Sequence, residues 1–375
     1  MKASLQEAAD LDFDQDRLKT EQTLYLAQIG EINQVGAEFS RLLMKGGDDL
    51  PVICEAYANG FLINHQQGEA VQLLNSWSAD YPEDPRPHVG LGLIFFDAGK
   101  YTAAADSFRT ALDVDPERNV ARIRLTEALI ELHRYPDAIA EARQACEYEP
   151  ENAEAFSVLG ESLYNGGSEA AALDAFLTAL ELEPEHFKAS LALGRLYNDQ
   201  GQYADAVTTL GPCLQQKSFD VKVRSALGTA LRGAGRNEEA LEHFQYCKES
   251  NQAHSRIRVN LDRLSRNSQL VAERFEVGRL LLDYGDPTEA AAWLHTVIRL
   301  QPEHAEAHRV LSEYYRDTGE SQAAEKHRDI LESLEDSQDG SRAPETGVGG
   351  PDSSEQTYQE PVASPEGDVN VQQSE

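Results

Sequence analysis

Long apolar runs are missing from this chain, and so are closely spaced cysteine pairs. No stretch approaches the roughly 20 apolar residues that a membrane-spanning helix needs. The opening "MKASLQEAADLDFDQD" has no apolar core behind its lysine, so it does not read as a secretory leader. Cys54, Cys146, Cys213 and Cys247 form neither a CxxC pair nor a zinc spacing. Basic residues are scarce, 33 Lys and Arg against 65 Asp and Glu, for a net charge of −32. That balance repels nucleic acids and anionic lipid and favours basic or neutral partners overall. Phosphate loops, nucleophile elbows and dinucleotide fingerprints are also absent, and "GVGG" at 347–350 lies in a Gly/Pro/Ser-rich tail. These absences predict a non-catalytic chain with no cofactor, no bound metal and no membrane insertion. It would be cytoplasmic as written, or anchored or exported if a segment precedes it.

What the chain does have is a repeat. Ala70, Ala104, Ala138, Ala172, Ala206 and Ala240 stand 34 residues apart, and Ala290 and Ala324 resume the step. Twelve residues before each stands a small residue: Ala58, Gly92, Thr126, Gly160, Gly194, Gly228, Gly278 and Ser312. Five before it, six of the eight copies carry glycine, at 99, 167, 201, 235, 285 and 319. Pro82, Pro116, Pro150, Pro184 and Pro302 stand twelve after it. The pattern predicts two short amphipathic helices joined at the glycine and stopped at the proline. Their backbones approach to ~8–10 Å, with Ala104 facing Gly92 and Phe108 and Ala111 on the buried stripe. The four cysteines, placed within the repeats, read as buried, inert thiols of a reducing compartment; Cys213 and Cys247 fall in the Ala111 column. Tyr101, Tyr135 and Tyr203 recur three residues before the reference alanine and read as packing positions.

This pattern resembles the tetratricopeptide repeat family, most clearly in "PRPHVGLGLIFFDAGKYTAAADSFRTALDVDP" at 85–116, which carries the family columns at Gly92, Phe95, Ala104, Phe108, Ala111 and Pro116. The likeness extends over roughly 16–335; Ser218 and Gln252 replace the closing proline in two copies. It implies an all-α, right-handed solenoid of stacked antiparallel helix pairs, because one pair cannot bury its own apolar face. It also implies that first helices line an inner surface that takes extended peptides. On that surface the sequence offers Lys188, Leu191, Arg195 and Asn198, then Lys222, Ser225, Thr229 and Arg232. Four cations on adjacent rungs suggest a groove for an acidic protein or peptide, with Lys188, Arg195, Asn198, Lys222, Thr229 and Arg232 as the binding residues. The family's Lys/Asn clamp for a C-terminal carboxylate is not reproduced position for position.

The organisation read from these signals is a partial repeat or terminal helix at 1–15, seven repeats at 16–254, a helical extension at 255–270, two repeats at 271–335, and a disordered acidic tail at 336–375. Between Asn237 and Val277 there is neither glycine nor proline, and Ile257, Leu261 and Leu264 form a stripe. One unbroken helix from about Asn237 to Arg266 is therefore expected, ~45 Å long, projecting from the stack and dividing it in two. The register of residues 4–13 matches the end of a second helix, which places Gly30, Val35 and Phe39 in repeat columns. It also suggests that coding sequence for a further helix lies upstream. The acidic tail, on the same chain as the cationic rungs, is expected to compete for the groove. His304 and His308 read as two surface histidines. The functional reading is a non-catalytic interaction scaffold or adaptor. Its rival is a docking or regulatory subunit of an enzyme or of a membrane-associated assembly complex.

Overall fold

The computed structural model describes residues 15–339 except 29, 46–48 and 65. The partial repeat expected at the start and most of the acidic tail therefore lie outside the described residues. Eighteen helices and no strand occur among the described residues. They are α1 (Gln15–Gln28), α2 (Ile32–Lys45), α3 (Leu50–Ile63), α4 (Gln67–Asp80), α5 (Arg86–Asp97), α6 (Tyr101–Val114), α7 (Asn119–Glu131), α8 (Tyr135–Tyr148) and α9 (Ala153–Asn165). Then follow α10 (Glu169–Leu182), α11 (Phe187–Asp199), α12 (Tyr203–Gln216), α13 (Val221–Gly233), α14 (Asn237–Arg266), α15 (Val271–Tyr284), α16 (Pro287–Leu300), α17 (Ala305–Asp317) and α18 (Ser321–Asp339). Successive helices pack as hairpins, an all-α solenoid. Its two compact units divide between Trp293 and Leu294, inside α16, rather than at the long helix.

The hairpin turns share one hydrogen-bond pattern. After α5, Gly99 N–H donates to the Phe96 carbonyl at 2.9 Å and Lys100 N–H reaches back to Phe95 at 2.8 Å. That closure needs a left-handed residue between them, and Gly99 has φ 68°. Gly30, Gly167, Gly201, Gly235 and Gly319 repeat it, with φ from 72° to 86°. In one of the two copies without glycine, His133 is forced to φ 56° in the same bonding pattern. Gly285 departs from expectation: at φ −146° and ψ −153° it is extended, not left-handed.

Second helices stop two residues before the proline column. The intervening residue is extended, as at Asp115 (φ −135°, ψ 92°) and Glu183 (φ −137°, ψ 95°), because a following proline disfavours the helical region. Lys217 takes the same shape before Ser218, so proline reinforces a stop that the packing also imposes. A staple that sequence alone did not reveal holds this turn from the next helix. Arg122 Nη1 donates to the Pro116 carbonyl at 2.8 Å, Arg224 Nε to Ser218 at 2.6 Å and Arg274 Nε to Ser268 at 2.9 Å, each from six residues downstream. Their guanidinium groups lie over Tyr148, Tyr246 and Trp293 respectively.

The small column lets the helices of a hairpin interlock. A Cβ added at Gly92 would fall 2.4 Å from Phe108, one at Gly160 2.5 Å from Phe176, and one at Gly194 2.4 Å from Leu210. Gly92 therefore faces the Phe108 ring, one turn beyond the expected Ala104. Where the small position holds the larger Thr126, the partner column holds only Ala142, and both are fully buried.

α14 runs without a break over its 30 residues, Asn237–Arg266, as the missing Gly and Pro suggested. It does not project: its second half is one wall of the next core. Ser250, Ala253, Ile257, Asn260 and Leu264 are buried at spacings of three and four, with Ala253, Ile257 and Leu264 packed with Val277, Leu280 and Leu281 of α15. Asn260 Nδ2 donates to Glu276 at 3.0 Å, and Arg256 pairs with the same carboxylate. Leu261, expected on the buried stripe, is 40% exposed.

In the second unit, His308 is buried, not a surface residue, and His304 caps α17 by accepting from Ala307 N–H at 3.1 Å. His308 Nε2–H donates to the Pro302 carbonyl at 2.9 Å, the place the arginine staples occupy elsewhere. Its Nδ1 is then left to accept from His327 Nδ1–H at 2.8 Å. Burial, followed by the charges of His308, His295 and Lys326, pushes the pKa of the buried His327 down to about 4.

Three outcomes are expected. Gly160→Ala should lower stability by about 1–3 kcal/mol in urea unfolding, and Phe176→Leu in the same chain should recover part of the loss. His133→Gly should raise stability by about 1 kcal/mol, because a non-glycine residue is released from the left-handed region; Gly167→Ala should cost a similar amount. His327 is neutral in the fold, so its contribution is complete above its ordinary 6.5 and is lost as pH falls from 6.5 towards 4. Hydrogen exchange of α18 at stepped pH should show that loss, and His327→Leu should flatten it.

Candidate functional site

The structure brings five of the six expected binding residues onto one surface, built from first helices. Lys188, Arg195 and Lys222 line a hollow of about 240 Å³ with Phe96, Ile130 and Leu191. Arg195 and Lys222 also border a second hollow of about 470 Å³, with Asn198 and Thr229. The two hollows thus share two cations. Arg232 is not with them: its guanidinium lies over the Phe244 ring, 5.2 Å from the centroid. Among the polar residues here, Thr229 Oγ1 donates to the Ser225 carbonyl at 2.9 Å, and Asn198 Nδ2 to Ala226 at 2.9 Å. Asn198 Oδ1 is buried with no hydrogen-bond partner.

The cations are not equivalent. Lys188 Nζ pairs with Glu127 Oε1 at 2.7 Å and with Glu154 Oε1 at 2.6 Å, so its charge is already met. Burial would lower its pKa, but the two carboxylates outweigh burial and raise it. Glu154 also accepts from His186 Nε2–H at 2.9 Å, with His186 Nδ1 capping α11 through Ala189 N–H. The His186 bond, with help from Lys188, holds Glu154 down to about 2 against the opposing effect of burial. Arg195 and Lys222, by contrast, have no ion-pair partner among the described residues.

The acidic half of this surface was not foreseen from the sequence. Glu127, Glu131 and Glu161 line the smaller hollow together with the cations, and Asp220 lines it beside Lys222. Glu161 is held above the ordinary carboxylate range by burial first and then by the charge of Glu127. The signal was present in the columns rather than along the rungs. Glu127, Glu161 and Arg195 share one column at the 34-residue step, and Glu154, Lys188 and Lys222 share another. Both columns change sign between α9 and α11.

Elsewhere chemistry is quiet. Burial pushes the Cys54 and Cys146 thiols up to about 11 and raises Cys213 and Cys247. Cys146 and Cys247 are only partly buried, which corrects the expectation of four buried thiols. Among the described residues no group of three His, Cys, Asp or Glu side chains is arranged to hold a metal. No described helix is long and apolar enough to cross a membrane.

Models described as tetratricopeptide repeat match residues 95–161 and residues 68–119, 191–254 and 276–327. A model for subunit 3 of the anaphase-promoting complex, or cyclosome, matches 131–213. No curated protein matches the chain. Among solved structures, MamA 41-end from Desulfovibrio magneticus RS-1 is 22% identical, with TM-score 0.40, over 46% of this chain and 98% of that one. TTC0263, a thermophilic repeat protein in Thermus thermophilus, is 20% identical with TM-score 0.39, over 53% and 99%. YrrB, described as a repeat protein with an unusual peptide-binding site, is 18% identical with TM-score 0.36, over 46% and 90%. Repeat models that match at several places along the chain, on helix hairpins that the structure repeats in kind, make this a tandem tetratricopeptide-repeat protein.

Proposed function

We propose that this chain is a non-catalytic interaction scaffold that binds a partner protein through an extended segment laid across the first helices of α7 to α13. The observation that carries this reading is the pair Arg195 and Lys222. They stand between two adjoining hollows and make no ion pair, among the described residues, with the carboxylates that share those hollows, Glu161, Asp199 and Asp220 among them, in a chain of net charge −32. Leaving two cations unpaired beside apolar side chains costs stability that an anionic partner returns. Ile130, Leu191 and Phe96 offer the apolar floor, and Asn198 offers an amide oxygen that still lacks a donor. Binding groups of this kind on a rigid helical face match the general design of interaction surfaces, a small apolar centre with a polar rim.

The test is fluorescence anisotropy of labelled acidic peptides against the full chain. Arg195→Gln with Lys222→Gln should weaken binding about tenfold, the loss of one or two charge-assisted hydrogen bonds. Arg232→Gln should leave it unchanged, because that side chain is turned onto Phe244. Equal binding by the double variant and the parent would remove this surface from the reading.

A further inference from the structure

The groove is charged in two halves, and this says more about the partner than the cations alone. We infer that the groove takes a bipolar extended segment, whose basic side chain sits against Glu131 and Glu161 and whose acidic side chain meets Arg195 and Lys222. This rests on the groove reading above and narrows it.

A repeat protein presents equivalent positions on successive first helices as neighbours, so a sign change down a column becomes a charge boundary across the surface. Here the boundary runs between α9 and α11, inside the smaller hollow, where the Glu161 and Arg195 side chains both face the cavity. Lys188 is held by Glu127 and Glu154, which meets the Glu127 charge and leaves Glu131 and Glu161 as the open carboxylates of the acidic half. Arg124 is likewise committed, at 2.6 Å from Glu127. Glu161 has no hydrogen bond or ion pair through its carboxylate among the described residues; it is half-buried beside two other acids, and the charges of Arg195 and Lys188 do not offset its burial. An all-acidic segment would add its charge to that half. A segment with one basic residue would relieve it.

Geometry sets the spacing. Adjacent helices in such a stack lie ~10 Å apart, and an extended chain advances ~3.3 Å per residue. The opposite charges should therefore stand about three residues apart, with an apolar side chain between them over Leu191 and Ile130. The acidic peptide expected from the cations alone satisfies only one of the two halves.

Labelled peptides with a lysine and a glutamate three residues apart around a leucine, titrated into the full chain, test this. They should bind about tenfold tighter than the same peptides with glutamine in place of lysine. Glu161→Gln should abolish that advantage, and Glu131→Gln, at an exposed position, should reduce it should Glu161→Gln fail to fold. Arg195→Gln should weaken both peptides alike. Equal affinity for the lysine and glutamine peptides, or an advantage that survives both glutamate variants, overturns the bipolar partner while leaving the groove. Peptides whose binding ignores Arg195→Gln and Lys222→Gln overturn the groove reading itself.

Discussion

The structure depends on one steric constraint: within a hairpin, a ring or a leucine of the second helix occupies the space that a side chain of the first would need. Gly92, Gly160 and Gly194 each leave room that Phe108, Phe176 or Leu210 fills completely. Such filling brings backbones close, maximises dispersion contacts and fixes the offset between the two helices. Thr126, with Ala142 in the partner column, shows that a larger residue in the small column goes with a smaller one in the column that faces it. Once that offset is set, every first helix presents the same positions to the groove.

Stacking requires the same precision between hairpins. Each second helix must end at a defined residue, and the chain must turn at a defined angle. Extended backbone before the proline column supplies the stop, and a side chain from the next first helix grips the carbonyl behind it. Arg122, Arg224, Arg274 and His308 occupy one position in that scheme, with different chemistry but the same acceptor. In the last case the imidazole is both staple and part of a buried histidine pair, which ties the closing turn to the protonation of α18. In the long helix α14 the stop comes later, at the extended Asn267, and the extra turns are absorbed by packing against α15.

Function follows from the repetition. Positions that are equivalent by register become neighbours in space, so the partner meets columns of side chains. Arg195 and Lys222 are presented because no carboxylate around the two hollows closes to ion-pair distance of them, while Lys188, equally cationic in sequence, is met by acids from the two preceding rungs. A cation's availability is thus decided by residues 34 and 61 positions away.

Sequence alone determined the hairpin, its period and its ends. Alanine at a 34-residue step, glycine at the turn and proline at the stop act locally, through backbone φ and helix periodicity, and local effects can be read from neighbours along the chain. The unbroken α14 was legible for the same reason, since no residue in it breaks a helix. Tertiary structure alone decided what lies opposite each position. It placed Phe108 rather than Ala104 over Gly92, folded the second half of α14 into a core instead of out of one, buried His308, and turned Arg232 onto an aromatic ring. It also joined Glu127 and Glu154 to Lys188. These outcomes rest on distances between side chains on different helices. A repeat fixes which columns are adjacent, but only packed helices fix which atoms touch.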